Sequence, residues 1–161
     1  MDRIVPPPLP WHGRCQCGGV RYAVTRAPLT VYECHCTECQ RQSASAHGTS
    51  MRLPLDGLEI EGEVAVFVRD EGKPTEVHCR FCPSCGVRIA HGRPGGGAWT
   101  LKPGTLDQTA WLAPAGYIWT GSAQAGAIFD ETLPRFGGQP DDYGELEVSW
   151  ARLLRGAPDD G

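Results

Sequence analysis

Apolar positions recur along this chain mostly in short alternating runs, the period of strands rather than helices. Val20, Tyr22 and Val24 alternate with Arg21 and Ala23 and predict a half-buried strand. Leu29–Glu33 predicts another, delivering the chain to Cys34. Between His47 and His78 the pattern is strand, turn, strand. Met51–Leu53 stops at Pro54, Leu58–Ile60 follows the Asp56-Gly57 turn, and Val64–Val68 is the most continuous apolar run and the predicted central strand. Asp70–Pro74 has the composition of a hairpin turn and leads to a strand over Thr75–Phe81. Trp99–Leu101 and Tyr117–Trp119 predict later strands. Two stretches depart from this period. Glu38–Ala46 has no β-branched run and predicts a short helix. Glu145–Arg155 places Leu146, Trp150, Leu153 and Leu154 on one face, predicting a structural helix packed on the sheets.

Composition agrees with a turn-rich β protein. The 161 residues include 21 Gly and 14 Pro, more than a fifth of the chain, where about 12% is usual. The length fits one domain, and no internal repeat is present. The expected division is a proline-rich arm over 1–12, a main domain over 13–140, and a C-terminal helix and tail over 141–161. A net charge of −4 argues against a nucleic-acid groove, whose footprint is basic. The opening MDRIVPPPLP is too short and proline-broken for a signal sequence. No apolar stretch approaches the ~20 residues of a membrane helix. A reducing, cytoplasmic setting is therefore expected, and there close cysteines read as metal ligands sooner than as disulfides.

The chemistry lies in the cysteines. Cys34, Cys36 and Cys39 fall within six residues as C-x-C-x-x-C, too close to pair easily but able to share one metal ion. Three thiolates without an obvious fourth ligand predict a zinc site with one open position. Cys15-x-Cys17 and Cys82-Pro83-Ser84-Cys85-Gly86 predict a second, closed four-thiolate site, with zinc favoured and iron as the competitor. Two zinc ions per chain are thus expected. Cys79 precedes Cys82 with the same spacing, but on a strand the two point to opposite faces. Cys79 is therefore read as a buried or spare thiol. A cysteine thiolate at the N-terminus of the short helix predicted over Glu38–Ala46 would be stabilised by the helix dipole.

His35 lies between two ligands, so its ring is expected to turn away from their metal. His47 and His91 follow metal segments and are candidates to face the open site. Arg14 and Arg41 stand beside ligand cysteines and are the candidates for a substrate carboxylate, with solvated surface positions as the alternative.

At these residues the chain resembles the glutathione-dependent formaldehyde-activating (GFA) family, also called CENP-V/GFA. The matching segments are Gly13-Arg14-Cys15-Gln16-Cys17-Gly18-Gly19-Val20-Arg21-Tyr22, Cys34-His35-Cys36-Thr37-Glu38-Cys39-Gln40-Arg41 and Arg80-Phe81-Cys82-Pro83-Ser84-Cys85-Gly86. Weaker matches follow at Gly104–Asp107 and Leu133–Phe136. The resemblance implies a mainly β, Mss4-like fold of several small coiled antiparallel sheets stapled by zinc, with few short helices. It implies a structural zinc on Cys15, Cys17, Cys82 and Cys85 and a catalytic zinc on Cys34, Cys36 and Cys39. It implies a carbon–sulfur lyase acting on a thiol–aldehyde adduct of the glutathione–formaldehyde type, hence a small thiol or thiol-adduct partner.

Three departures stand out. Ala44 replaces a glycine, Tyr117 replaces a histidine, and the small Gln124–Ala127 stretch lacks a tryptophan. They are expected to alter the substrate wall and weaken turnover of the glutathione adduct. The alternative is a non-catalytic zinc module that binds protein or nucleic acid.

Overall fold

The structure is a computed structural model that describes residues 4–155. Among these residues it is mainly β, with two short α-helices. The chain divides into two compact units, each built from separate stretches of sequence.

One unit holds residues 7–28 and 51–110. Its first sheet orders three strands, β1 (Trp11–Arg14), β2 (Arg21–Val24) and β5 (Leu58–Glu61), as β1-β2-β5, all antiparallel. The predicted alternation is seen there: Val20, Tyr22 and Val24 are buried and Arg21 is exposed. Trp11, in the proline-rich lead, is also buried and donates its indole N–H to the Pro7 carbonyl. The second sheet carries β6 (Ala65–Arg69), β7 (Val77–Phe81), β8 (Arg88–Gly92), β9 (Ala98–Leu101) and the Met51–Pro54 part of β4 (Gly48–Pro54), in antiparallel order β4-β9-β8-β7-β6.

The run predicted as a central strand is β6, and it lies at the edge. Val66 and Phe67 are 48% and 53% exposed. Apolar content marked it as a strand, but periodicity carries no information about which neighbours a strand acquires.

The other unit holds residues 4–6, 29–50 and 111–155 of the described chain. Here β3 (Thr30–Cys34) pairs with β10 (Tyr117–Ile118), parallel, with Tyr117 opposite Glu33 and Ile118 opposite Cys34. The helix α1 (Thr37–Ser43) follows β3 directly. The second helix, α2 (Gly144–Arg155), buries Leu146, Trp150 and Leu153 and leaves Leu154 half-buried. It packs on β3, where the Thr30 hydroxyl donates to the Leu146 carbonyl at 3.0 Å. Tyr32, Cys34, Ile118 and Leu146 form the buried core of this region, with Cys36, Cys39, Phe136 and Tyr143 against it. The predicted tail beyond Arg155 lies outside the described residues.

Candidate functional site

Both cysteine groups assemble. Cys15, Cys17, Cys82 and Cys85 bring four Sγ atoms within 4.8 Å of one another. All eight cysteines are free thiols. Two tight turns deliver the four ligands. In the first, Gly18 N–H donates to the Cys15 carbonyl and Cys15 N–H to the Val20 carbonyl. In the second, Gly86 N–H donates to Cys82 and Cys82 N–H to Val87. Gly18 and Gly86 sit at φ +77° and +74°, the left-handed region that a glycine enters without a Cβ penalty.

The thiols are spaced for a metal. Cys17 Sγ lies 3.5 Å from Cys15 Sγ and 3.6 Å from Cys82 Sγ. Thiolates arranged tetrahedrally at 2.3 Å around an ion would stand about 3.8 Å apart. Cys85 is held down at about 6, first by the Val87 N–H and then by the Cys17 N–H. The Gly19 N–H works to lower Cys17, but the thiols of Cys15, Cys82 and Cys85 outweigh it and raise it to about 11. The donor set fits a closed four-thiolate metal centre. Cys79 is absent from it: its buried thiol faces the Val77 carbonyl at 3.8 Å.

The second group is local. Cys34 ends β3, Cys36 caps α1, and Cys39 lies in its first turn. Their Sγ atoms also fall within 4.8 Å of one another. The Cys36 sulfur accepts the Cys39 N–H at 3.3 Å, an N-cap made by a thiolate. The neighbouring thiols of Cys34 and Cys39, with the Cys39 and Glu38 N–H groups, hold Cys36 at about 2. The thiols of Cys36 and Cys39, and then burial, push Cys34 far upward. The negative charge of the group therefore rests first on Cys36, at the helix N-terminus. Among the described residues the cluster holds three thiols and no fourth His, Cys, Asp or Glu donor, which fits a metal with one exchangeable position.

Gln40 locks this geometry. Its Nε2 donates to the His35 carbonyl at 2.7 Å and to the Ser122 carbonyl at 2.9 Å, while Gln124 Nε2 donates to its Oε1 at 3.2 Å. Gln124, at the start of the small Gln124–Ala127 stretch, is thus tied to α1. Sequence reading missed Gln40, because a glutamine on a short polar helix carries no periodic signal.

The remaining candidates divide between the units. Arg41 is on α1, exposed, and ion-paired with Glu38. Arg14 ends β1 next to the four-cysteine turn, with its Nε 3.9 Å from Asp107. His35 turns away from the cysteines, as expected, and is 2% exposed. Burial, then the His47 imidazole, hold it below the ordinary imidazole value, against the pull of Glu33.

Two of the three departures acquire a physical meaning. Ala44 is the C-cap of α1 at φ 50°, ψ 39°, a left-handed position that glycine fills best. Its effect falls on the helix end. Tyr117 stands opposite Glu33 in the strand pair, and its hydroxyl accepts the Asp130 N–H at 3.1 Å. Its ring contacts Phe129 and His35, on the strand face away from Cys34.

Residues 10–122 match the family model described as glutathione-dependent formaldehyde-activating enzyme. No curated protein matches the chain. Among solved structures, the chain is similar to a Rhodobacter sphaeroides protein, with 21% identity and a TM-score of 0.48 over 60% of this chain and 87% of that one.

Proposed function

The chain belongs to the glutathione-dependent formaldehyde-activating enzyme family, and from that premise we propose that it is a zinc-dependent carbon–sulfur lyase acting on a thiol–aldehyde adduct. The observation that carries this reading is the Cys34–Cys36–Cys39 cluster, three thiol ligands gathered on one strand end and one helix N-terminus. Zinc is proposed on this cluster and on Cys15, Cys17, Cys82 and Cys85, two ions per chain. Bound at the open cluster, zinc would supply a position that holds the substrate sulfur as a thiolate.

The chain's own residues have the simpler tasks. Cys34, Cys36 and Cys39 are ligands, not nucleophiles. Gln40 keeps α1 seated on the His35 and Ser122 carbonyls, so the three ligands hold one geometry. Arg41 is the proposed partner of a substrate carboxylate, released from Glu38 on binding; Arg14 is the second candidate, assayed in parallel. In the lyase direction the C–S bond of a hemithioacetal breaks and its electron pair stays on sulfur. The hydroxyl proton leaves to solvent as the carbonyl forms. The free thiols require a reducing compartment, and the cytoplasm is the proposed one. No helix among the described residues is long and apolar enough to cross a membrane.

The test compares S-hydroxymethylglutathione with smaller S-hydroxymethyl thiols, using metal-analysed wild type and Cys36→Ser. Formaldehyde release by the wild type alone is the expected result, with the smaller adducts preferred. Two bound zinc ions and no turnover of any adduct would replace the enzyme with a binding module.

A further inference from the structure

We propose that Glu33, His35 and His47 form a third metal site, for a divalent first-row transition ion held by two imidazoles and one carboxylate. The site is separate from the cysteines. Side chains alternate along a strand, so Glu33 and His35 share the face of β3 opposite Cys34. The strand pairing continues to His35, whose N–H donates to the Ile118 carbonyl at 3.0 Å. The backbone of this segment is therefore fixed.

The carboxylate of Glu33 offers one oxygen to each ring. Oε2 lies 3.6 Å from His35 Nε2, and Oε1 lies 3.6 Å from His47 Nε2. These distances are long for a hydrogen bond, which favours 2.7–3.2 Å. They are close to the roughly 3.4 Å that separates two ligand atoms placed tetrahedrally about 2.1 Å from a shared ion. One ligand atom from each residue lies within 4.8 Å of the others.

The second observation concerns His35 alone. Its side chain is 2% exposed, and neither Nδ1 nor Nε2 has a hydrogen-bond partner. Burying a polar atom unpaired costs free energy that a partner would recover. An ion on Nε2 provides that partner. Phe129 meets the His35 ring edge-on at 5.0 Å and keeps its surroundings apolar. Tyr117 spends its hydroxyl as the acceptor of the Asp130 N–H and leaves the ligand set at three.

The ring of His47 is packed 5.1 Å from that of His35, yet its side chain is 34% exposed. The site is therefore walled on the His35 side and open on the His47 side, where an ion enters and exchangeable positions remain. Imidazole with carboxylate suits zinc, cobalt, nickel or ferrous ion, whereas magnesium and calcium prefer all-oxygen cages.

The test loads purified full-length protein with excess Co(II), removes free ion by gel filtration, and counts every metal per chain. The wild type is expected to carry one ion more than His47→Ala treated identically. The added cobalt should show ligand-field bands without thiolate-to-cobalt charge transfer. Glu33→Gln should weaken its binding by about 100-fold or more, and Cys36→Ser should leave it unchanged. His47 lies partly in solvent, so His47→Ala should fold and decides the matter alone if Glu33→Gln does not. Equal metal content in wild type and His47→Ala, or extra cobalt with a thiolate band, overturns the site. Failure of the cysteine reading looks different: it removes metal from the thiolate sites and leaves the His47-dependent ion in place.

Discussion

The two cysteine groups offer the same kind of donor atom, a cysteine sulfur, and differ in how the chain reaches them. Cys17 and Cys82 meet across 65 residues of sequence, each presented by its own tight turn. Cys34, Cys36 and Cys39 arrive within one strand-to-helix junction. A metal at the first group closes a long loop and offsets its chain entropy. Structural zinc is worth roughly 10–16 kcal/mol in small modules, and there it is spent on folding. A metal at the second group closes nothing that the backbone of β3 and α1 has not already closed. On the proposed function, similar ligands would act as a fastening in one place and a chemical site in the other.

The largest expected effect tests the fastening. Cys82→Ser should leave little folded protein, read by circular dichroism and soluble yield, and a normal melt would break the comparison. Cys36→Ser should lose one metal ion and lower lyase activity by roughly 100-fold or more, while its melting temperature stays within about 4 °C of wild type. Unfolding as complete as that of Cys82→Ser would erase the distinction between the groups.

Gln40→Ala removes two hydrogen bonds that seat α1 and should cost about 1–2 kcal/mol in urea unfolding, with looser metal retention at the three-cysteine group only. Ala44→Gly relieves a left-handed alanine and should stabilise by about 0.5–1 kcal/mol. The smallest effect on stability is expected from Arg41→Ala, below about 0.5 kcal/mol for an exposed pair. Its signature is a raised KM for carboxylate-bearing adducts with kcat unchanged.

Much of this was legible before folding. The alternation at Val20, Tyr22 and Val24, the face of α2 and both cysteine spacings are local patterns, and each reappears in the structure. Cys79 was separable from Cys82 by strand alternation alone. The edge position of β6 was not legible, because an apolar run does not state its neighbours. Nor was the Gln40 clamp, whose acceptors are the carbonyls of His35 and Ser122.

By itself the sequence determined the ligand types and their local spacing, since C-x-C and C-x-x-C turns need only neighbouring residues and a glycine. It also pointed the His35 ring away from the cysteines, because His35 lies between two ligand positions. Tertiary structure decided the rest. It joined the Cys15 and Cys82 turns, set Tyr117 beside Glu33 by parallel pairing, and brought the His47 ring over that of His35. Those meetings depend on how distant segments pack within each unit, which a one-dimensional pattern of side chains does not encode.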